Sequence, residues 1–446
     1  MQNLPTVTTN NEWKSYTLGE LGEYLNGRAF KSTDWKKSGY PIIRIQNLND
    51  HQAPFNYTNE TFEDRYKVED GELLVSWSAS LGAYIWNRGS GWLNQHIFKV
   101  IPNEDIVEKR LLYYAIKNII RDLYAQTHGS GMVHVTKPVF EAQEVMIPED
   151  KNLQASLVKR FDEMLESVEV SRNKIQDTKR SIHKFRQSVL SAAVTGKLTE
   201  EWREKNQDYK SADEILKQIK EQRLATGNNK NKLQDIYTYK ERGDNDELPD
   251  KWGFVSLDKL CNSFNYGTST KSQTQGKVPV LRMGNLQKGE IDWNNLVFTS
   301  DDNEIEKYSL RTGDVLFNRT NSPELVGKTS IYRGERPAIF AGYLIKINNF
   351  PQLNSEYLNY CLNSGYAKDY CYQVKSDGVS QSNINAQKLG KFEIPLCSSE
   401  EQQEIVRRVK SMFEVADLVE KQIEIAGNKA EKLTQTILAK AFRGEL

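Results

Sequence analysis

The stretch QSVLSAAVTGKL at residues 187–198 returns near the other end of the chain as QTILAKAFRGEL at residues 435–446. Each copy closes a long segment with apolar residues at every seventh position, and each segment follows about 150 residues of β-rich sequence. A tandem repeat of this length predicts one fold used twice around a pseudo-twofold axis. Such symmetry suits a target that itself has two parts.

Further matching stretches extend the repeat, with corresponding positions about 240–250 residues apart. The halves open with WKSYTLGEL at 13–21 and WGFVSLDKL at 252–260. The other matches are YPIIRIQNL at 40–48 with VPVLRMGNL at 278–286, GELLV at 71–75 with GDVLF at 313–317, and MIP at 146–148 with EIP at 393–395. We therefore expect the same order of elements in both halves.

The seven-residue spacing predicts two long helices with the a and d positions of a coiled coil. The a positions are Phe161, Val168, Ile175, Ile182 and Val189, then Val409, Ala416, Ile423, Ala430 and Ile437. The d positions are Leu157, Met164, Ser171, Thr178, Phe185 and Ala192, then Ile405, Met412, Val419, Ala426 and Leu433. A narrow apolar stripe on a charged helix needs a partner. We expect an antiparallel pair within the chain; a parallel pair and association of separate chains are the alternatives.

These patterns predict an α+β fold of two β-rich globular units in tandem, each followed by a long helix, with the two helices forming an antiparallel coiled coil. Runs of β-branched and aromatic residues predict strands, and apolar residues at helical spacing predict shorter helices. The expected strands include 41–45, 72–77, 83–86 and 96–101, and the expected helices include 110–123 and 355–363. The expected domains are 1–150, 151–198, 251–397 and 398–446, with a linker at 199–250 whose part 199–222 could be a charged helix.

The composition narrows the function. Sixty basic and sixty acidic residues give zero formal charge, which argues against a protein that holds nucleic acid alone through phosphates. The four cysteines lie in the second half without zinc spacing, as expected for reduced thiols in a cytoplasmic protein. The polar N-terminus does not resemble a signal peptide, and no segment approaches the ~20 apolar residues of a membrane span.

No stretch carries a convincing catalytic motif. SPELVGKTS at 322–330 lacks the first glycine of a phosphate-binding loop. NSPE at 321–324 lacks the aromatic residue that an amino-methyltransferase motif requires. His128 and His134 have no third metal ligand nearby in the sequence. We therefore expect no catalytic residue, metal or cofactor in this chain.

Both halves do carry loop residues suited to base edges, because Arg pairs with guanine, Asn and Gln pair with adenine, and aromatic rings stack. In the first half these residues are Arg44, Gln46, Asn47, Trp77, Ser78, Asn94, Gln95 and His96. In the second they are Arg282, Asn285, Asn318, Arg319, Thr320, Asn321, Ser380 and Gln381. The Arg and Asn that recur in both halves indicate framework as readily as base contact. Residues that differ between the halves are the better specificity candidates.

Together these features resemble the specificity (S) subunit of type I restriction–modification systems. The resemblance covers nearly the whole chain, and its strength lies in the repeated order of the motifs. They are the two openings, LPDKW at 248–252, GDVLFNR at 313–319, EQQEIV at 401–406, LSAAVTGKL at 190–198 and LAKAFRGEL at 438–446. The first half departs at 76–78, where SWS replaces the Asn318-Arg319 pattern.

The resemblance implies a non-catalytic subunit for double-stranded DNA, with target-recognition domains at 1–150 and 251–397 that each read half of a bipartite site. The helical regions at 151–198 and 398–446 would set the half-site spacing. They would also dock two modification subunits, which carry S-adenosylmethionine and the methyl-transfer chemistry. Restriction subunits would complete a complex for phage defence. The alternatives are a related system whose single partner chain methylates and cleaves, a stand-alone modification enzyme, and a coiled-coil protein-binding scaffold.

Overall fold

The computed structural model describes residues 13–78, 80–126, 135–225, 248–378 and 381–442. The chain forms two compact units. The first unit contains residues 1–176 and 423–446, and the second contains residues 177–422. We call residues 13–148 the first head and residues 252–396 the second head.

The elements of the first head and the helix that follows it are β1 (Trp13–Thr17), α1 (Leu18–Leu21), β2 (Gly22–Asn26), β3 (Tyr40–Ile43), α2 (Ile45–Asn49), β4 (Asn56–Thr58), β5 (Lys67–Val68), β6 (Leu73–Ser76), β7 (Gly82–Ile85), β8 (Gly91–Leu93), β9 (Ile97–Pro102), α3 (Lys109–Gln126), α4 (Lys137–Glu141), β10 (Glu144–Pro148) and α5 (Lys151–Val194).

The remaining elements are α6 (Glu200–Lys205), α7 (Ala212–Ala225), β11 (Gly253–Ser256), α8 (Leu257–Leu260), β12 (Cys261–Tyr266), β13 (Val278–Leu281), β14 (Leu286–Gln287), β15 (Glu290–Ile291), β16 (Val297–Thr299), α9 (Asp302–Tyr308), β17 (Val315–Asn318), β18 (Thr320–Asn321), β19 (Thr329–Ile331), β20 (Ile339–Phe340), β21 (Leu344–Asn349), α10 (Ser355–Asn363), α11 (Gly365–Val374), β22 (Ser376–Asp377), β23 (Ser382–Asn383), α12 (Ala386–Gly390), β24 (Glu393–Leu396) and α13 (Ser399–Ala441).

The first head is built on two four-stranded sheets, β2-β9-β6-β7 and β4-β3-β8-β5. The apolar face of α3, with Leu112 and Ile116, packs in one core with Val75 and Phe98 of the first of these sheets. The second head repeats this plan with sheets β12-β21-β17-β19 and β16-β13-β20. The repeated fold expected from the sequence is therefore present in both halves.

The strand pairs that close the heads correct one of the sequence matches. In β1 and β10, Thr17 lies opposite Glu144 and Tyr16 opposite Val145. In β11 and β24, Ser256 lies opposite Glu393 and Val255 opposite Ile394. Residues 144–147 thus correspond to 393–396, and the match of MIP at 146–148 with EIP at 393–395 is wrong. Strand register is set by which residues pair, so the Ile-Pro dipeptide can occur at different positions along two equivalent strands.

The two long helices run antiparallel, as predicted. In the first unit, Phe161 of α5 lies against Phe442, with ring centroids 5.9 Å apart, and Ile175 lies beside Gly427. In the second unit, the Arg186 side chain donates to Asp417 at 2.5 Å. Residues later in α5 therefore contact residues earlier in α13, as in an antiparallel pair.

The heptad stripes are only partly buried. Of the a positions, Phe161, Ile182, Val189, Val409 and Ala416 are buried, and Val168, Ile175, Ile423, Ala430 and Ile437 are half-buried. The predicted d positions share this burial only in part: Leu157 and Ile405 are buried, whereas Phe185 on α5 is 43% exposed. Met412 is 36% exposed, Val419 41% and Leu433 57%. Two helices in contact bury one narrow stripe on each, which the a positions supply here.

Matching glutamines anchor the start of each long helix. The Gln154 amide donates to the carbonyls of Pro148 and Ile106 at 2.7 and 2.8 Å. The Gln402 amide makes the same pair of bonds, to Cys397 at 2.9 Å and Gln352 at 3.2 Å. The preceding residues, Leu153 and Glu401, therefore occupy corresponding positions.

The segment expected to be a linker is packed as far as Ala225. It forms α6 and α7 instead of one charged helix, because Asn206 ends α6 and Ser211 begins the next helix by accepting from the Glu214 N–H at 3.4 Å. Ile215 and Ile219 of α7 are buried in the core of the second head. Because these apolar side chains are buried, they attach the segment to the second head. A flexible linker would instead be a polar sequence exposed to solvent. Residues 226–247 lie outside the described residues.

Candidate nucleic-acid interface

The loop before β9 in the first head and the loop before β21 in the second are held in the same way. In the first head the Asn94 N–H donates to Ile43 O at 3.1 Å, and the Gln95 N–H donates to Arg28 O at 2.8 Å. The corresponding bonds in the second head run from Ala341 to Leu281 at 2.9 Å and from Gly342 to Thr268 at 2.7 Å. We call residues 94–96 and 341–343 the apex loops. In the first head, Ser76 at the end of β6 pairs with Ile97, which follows the apex loop. In the second head, Asn318 at the end of β17 pairs with Leu344 in the same way. Each apex loop therefore lies beside the end of a neighbouring strand.

The Arg-x-x-Asn turn that recurs in the sequence is a buried structural turn. Asn47 is 1% exposed and Asn285 is 4% exposed. Asn47 Oδ1 accepts from the Arg44 N–H at 3.1 Å, and Asn285 Oδ1 accepts from the Arg282 N–H at 2.9 Å. Each amide nitrogen donates to two carbonyls further along, at 2.9–3.2 Å. These are the bonds of a turn, and contact of either Asn with DNA stays a prediction.

The side chains around these turns are also braced. Arg44 donates to Asn56 Oδ1 at 3.1 Å, and its guanidinium lies 5.3 Å from the centre of the Trp35 ring. Arg282 donates to Asn295 O at 2.9 Å. Gln46 is exposed and donates to Pro54 O at 3.2 Å. Their predicted base contacts would have to form alongside, or in place of, these bonds.

In the first head, Trp77 follows β6 and packs inward. Its ring stacks on Phe98, with centroids 5.7 Å apart and planes at 23°. The His96 ring lies 5.5 Å away on the apex loop. Gln95 beside it is exposed, Asn94 and Ser78 are half-buried, and Gln95 Nε2 lies 3.1 Å from His96 Nε2. The structure therefore brings these predicted residues together at one edge, with Gln95 the most open to a ligand.

In the second head, Arg319 occupies the position of Trp77. The Arg319 N–H donates to Tyr343 O at 3.0 Å, as the Trp77 N–H does to His96 O at 3.3 Å. The Arg319 guanidinium lies 4.7 Å from the centre of the Tyr266 ring, and its Nε is buried without a hydrogen-bond partner. A cation on an aromatic face beside a solvent-exposed loop suits an incoming acceptor.

The remaining predicted residues surround Arg319 or lie outside the described residues. Asn318 is fully buried, and its Oδ1 accepts from the Thr320 N–H at 3.3 Å. Asn321 is half-buried on β18, which pairs with β23. Gln381 is exposed, whereas Ser380 lies outside the described residues, as do His128 and His134.

One lysine near this edge of the second head is neutralised by an ion pair. Lys375 donates to both oxygens of Asp377 at 2.6 and 2.7 Å. The hydrogen bonds from Lys375 and Ser382 lower the pKa of Asp377 below its usual value. The ionised carboxylate therefore neutralises Lys375, which leaves this lysine less available to a phosphate.

Sequence reasoning missed three side chains at this edge: Tyr266 and Tyr343 in the second head, and Arg28 in the first. Tyr266 is 40% exposed and Tyr343 is 52% exposed. Each tyrosine adjoins a glycine, Gly267 or Gly342, where the chain passes close to its neighbour. The signal available in the sequence was an aromatic residue next to a glycine.

The described residues lack a metal-binding cluster and an exposed thiol. Among them, no group of three or more His, Cys, Asp and Glu side chains could hold a metal ion. All four cysteines are buried, and burial raises the pKa of the Cys361 and Cys371 thiols to about 12. No helix in the described ranges has the length and apolarity needed to cross a membrane.

Comparison with known proteins defines the class. The family described as type I restriction modification DNA specificity domain matches residues 10–179 and again residues 249–426. The chain belongs to this family. The two matches coincide with the two repeats of the fold.

Full-length relatives agree with that assignment. The type I restriction enzyme EcoBI specificity subunit of Escherichia coli is 26% identical over 99% of this chain and 87% of its own length. The StySPI specificity subunit of Salmonella potsdam is 26% identical over 97% of this chain and 89% of its own length. A chain solved in a study of complex assembly in the type I R-M system shares the fold, with a TM-score of 0.63 and 16% identity over 98% of this chain and all of that one.

Proposed function

We propose that this chain is the DNA sequence-specificity subunit of a type I restriction–modification complex, and that each head reads one half of a bipartite site. One observation carries the proposal. Both heads hold their apex loops with the same backbone bonds, yet Trp77 stands in one where Arg319 stands in the other. A common frame with different side chains at the same place is what two readers of different half-sites require.

The chain acts in this proposal without catalysing a reaction. Methyl transfer, with its S-adenosylmethionine, is assigned to modification subunits, and cleavage to restriction subunits. The zero formal charge is consistent with partners that supply most phosphate contacts. Acting on DNA within such a complex, the chain is expected in the cytoplasm.

An exposed part of α13 supports docking of a modification subunit. Met412, Val415, Leu418 and Val419 are 36%, 58%, 63% and 41% exposed, and all lie in the second unit. Contiguous apolar side chains on a charged helix mark a contact surface. We call these four residues the α13 stripe and propose that a helix of the modification subunit covers it.

The central experiment recovers the site itself. The full chain is co-purified with its modification subunits, and bound duplexes are selected from a random library and sequenced. The expected result is two defined half-sites separated by a spacer of fixed length. Replacing residues 13–148 with the corresponding head of a relative should change one half-site, and replacing residues 252–396 should change the other. Selection of no motif, or a change in both half-sites after one exchange, would refute the proposal.

The docking surface is tested separately. Leu418→Asp should prevent co-purification with the modification subunit, because a charge placed in an apolar contact must be desolvated. Lys421→Glu, on an exposed position of the same helix, is the matched control and should leave assembly intact. Assembly of both variants to wild-type levels would exclude the α13 stripe as the docking surface.

A further inference from the structure

Three arginines in the described part of the chain have an Nε that is buried without a hydrogen-bond partner: Arg28, Arg186 and Arg319. Arg186 is balanced by carboxylates, with Asp417 at 2.5 Å and Glu420 at 3.3 Å. Within the described residues, no ion pair forms at Arg28 or at Arg319. A partly desolvated guanidinium without an anion is costly to keep. These two side chains therefore need an explanation.

Arg28 lies in an aromatic corner of the first head. Its guanidinium is 4.0 Å from the centre of the Phe62 ring and 5.7 Å from that of Phe30. The two rings meet edge to face at 5.3 Å. Phe62 in turn packs at 5.2 Å against Trp92, which is 3% exposed. The rings pack against the guanidinium. Of its nitrogens, Nε alone is buried without a hydrogen-bond partner.

The backbone of Arg28 is fixed against the apex loop. Its N–H donates to Leu93 O at 2.8 Å, and its carbonyl accepts from the Gln95 N–H at 2.8 Å. Gly27 permits this approach, because a Cβ there would lie 2.3 Å from Asn94 O. The side chain thus starts from a rigid position beside Gln95, an exposed residue of the predicted reading set.

The same combination occurs in the second head through another strand. Arg319 adjoins the apex loop through its bond to Tyr343, and its guanidinium rests on Tyr266. Thr268, which corresponds to Arg28, carries no cation, and Trp77, which corresponds to Arg319, packs on Phe98. Each head therefore places an arginine over an aromatic ring and without a carboxylate partner beside its apex loop: Arg28 follows β2 in the first head, and Arg319 follows β17 in the second.

We infer that Arg28 is the guanine-reading residue of the first head and donates two hydrogen bonds from its guanidinium to O6 and N7 of one guanine. This inference rests on the proposed function. Guanine is chosen because its major-groove edge offers two acceptors that match the paired donors of arginine. A guanidinium packed against two rings loses less conformational freedom when it binds, which lowers the entropic cost of that contact.

The test uses the full chain in complex with its modification subunits and the site selected by the wild-type complex. Affinity is measured for every single-base variant of the first half-site, at two salt concentrations, for the wild type, Arg28→Ala and Arg28→Lys. The lysine variant keeps the charge but loses the paired, planar donors. Arg65→Ala is the matched control, since Arg65 also stacks on an aromatic ring, Tyr66 at 4.6 Å, but is paired with Glu63.

The expected result is that both Arg28 variants lose about 10- to 100-fold discrimination at one G·C pair and keep it at the other positions. Arg65→Ala should keep all of it. A phosphate contact would instead make Arg28→Ala lose affinity equally for every DNA variant and reduce the salt dependence of its binding, while Arg28→Lys kept its affinity. That result would overturn the inference. Unchanged discrimination in both variants would overturn it as well. A wild-type complex without sequence preference would instead overturn the proposed function, and the inference with it.

Discussion

The Arg-x-x-Asn turn is nearly identical in the two heads, whereas the strand ends beside it differ. Asn47 and Asn285 each make the same set of three hydrogen bonds from the same buried position. At the ends of β6 and β17, one head has a tryptophan stacked inward and the other an arginine facing an exposed tyrosine. The two heads are alike at the buried asparagines that hold the loop. They differ at the strand ends, where a side chain can contact a ligand. Repetition in the sequence therefore marks framework, and divergence within it marks the candidates for recognition.

The largest expected effect concerns a polar cluster in the second unit. Glu401 is fully buried, pairs with Arg203 at 2.7 Å and accepts from Trp252 Nε1 at 2.8 Å. Leu153 stands at the corresponding position in α5. Glu401→Ala should lower the free energy of unfolding of the second unit by about 3–5 kcal/mol, because it leaves Arg203, whose side chain is only 14% exposed, without its counter-charge.

Hydrogen exchange read separately over the two units is the appropriate measurement, since a two-unit chain need not unfold in one step. Protection should fall in α6 and β11 and persist in α3. Glu400→Ala, at the exposed neighbouring position, is the control and should change little. Equal loss of protection in both units would show that the units are not stabilised separately.

A second effect should be the same in both heads. Asn47→Ala and Asn285→Ala should each destabilise their own head by about 1–3 kcal/mol, because each leaves buried backbone groups without partners. Gln46→Ala, which removes one exposed hydrogen bond, is the control. Local hydrogen exchange of β3 and β13 measures both. A large effect in one head and none in the other would contradict the view that these turns are common framework.

A third effect should appear in recognition and not in stability. Arg319→Ala should weaken discrimination at one base pair of the second half-site by roughly 1–3 kcal/mol, as expected for a lost bidentate contact. Arg336→Ala is the matched control, because Arg336 also stacks on an aromatic ring, Trp293 at 4.7 Å, but lies exposed on another loop. Affinities for all single-base variants at two salt concentrations decide the matter. A loss that is uniform across sequences would assign Arg319 to a phosphate or to loop support.

The smallest effect concerns an ion pair found in the second unit. Lys288 donates to Glu420 at 3.3 Å, with side chains 71% and 32% exposed. Lys288→Ala should lower stability by less than about 1 kcal/mol, because exposed pairs gain little in water. Thermal unfolding at low and high salt measures the difference, which screening should shrink further. A loss above about 2 kcal/mol would mean that this pair fastens the turn between β14 and β15 far more strongly than an exposed contact does.

The elements themselves followed well from the sequence. The helix expected at 355–363 is α10 (Ser355–Asn363), and the strands expected at 72–77 and 96–101 are β6 and β9 with ends shifted by one residue or so. Periodicity carries this information locally. The break between α6 and α7 was also readable, because Ser211-Ala-Asp-Glu214 has the spacing of a capping box and the structure forms its bonds.

What failed depended on contacts between distant residues. The a positions of both helices could be assigned from spacing, but the exposure of Met412 and Val419 follows from which face of α13 meets α5. The register of β10 against β1 likewise separates the two Ile-Pro pairs. At the candidate interface, the inward packing of Trp77 needed Phe98 as its neighbour, and the half-buried Arg28 of the first head lay in no repeated motif. Side-chain direction at a strand end is set by tertiary packing.

The antiparallel helix pair has a consequence for the order in which the protein can be completed. The core of the first unit includes Leu438, Ala441 and Phe442, at the end of α13, which the ribosome adds about 260 residues after the last residue of α5 in that unit, Gln176. At 5–20 residues per second this delay is roughly 13–50 s. The second unit contains nothing beyond Gln422. The head that is synthesised first is therefore the last to complete its core. In a chain truncated after residue 422, the unit with the incomplete core would be the one that contains the N-terminal head.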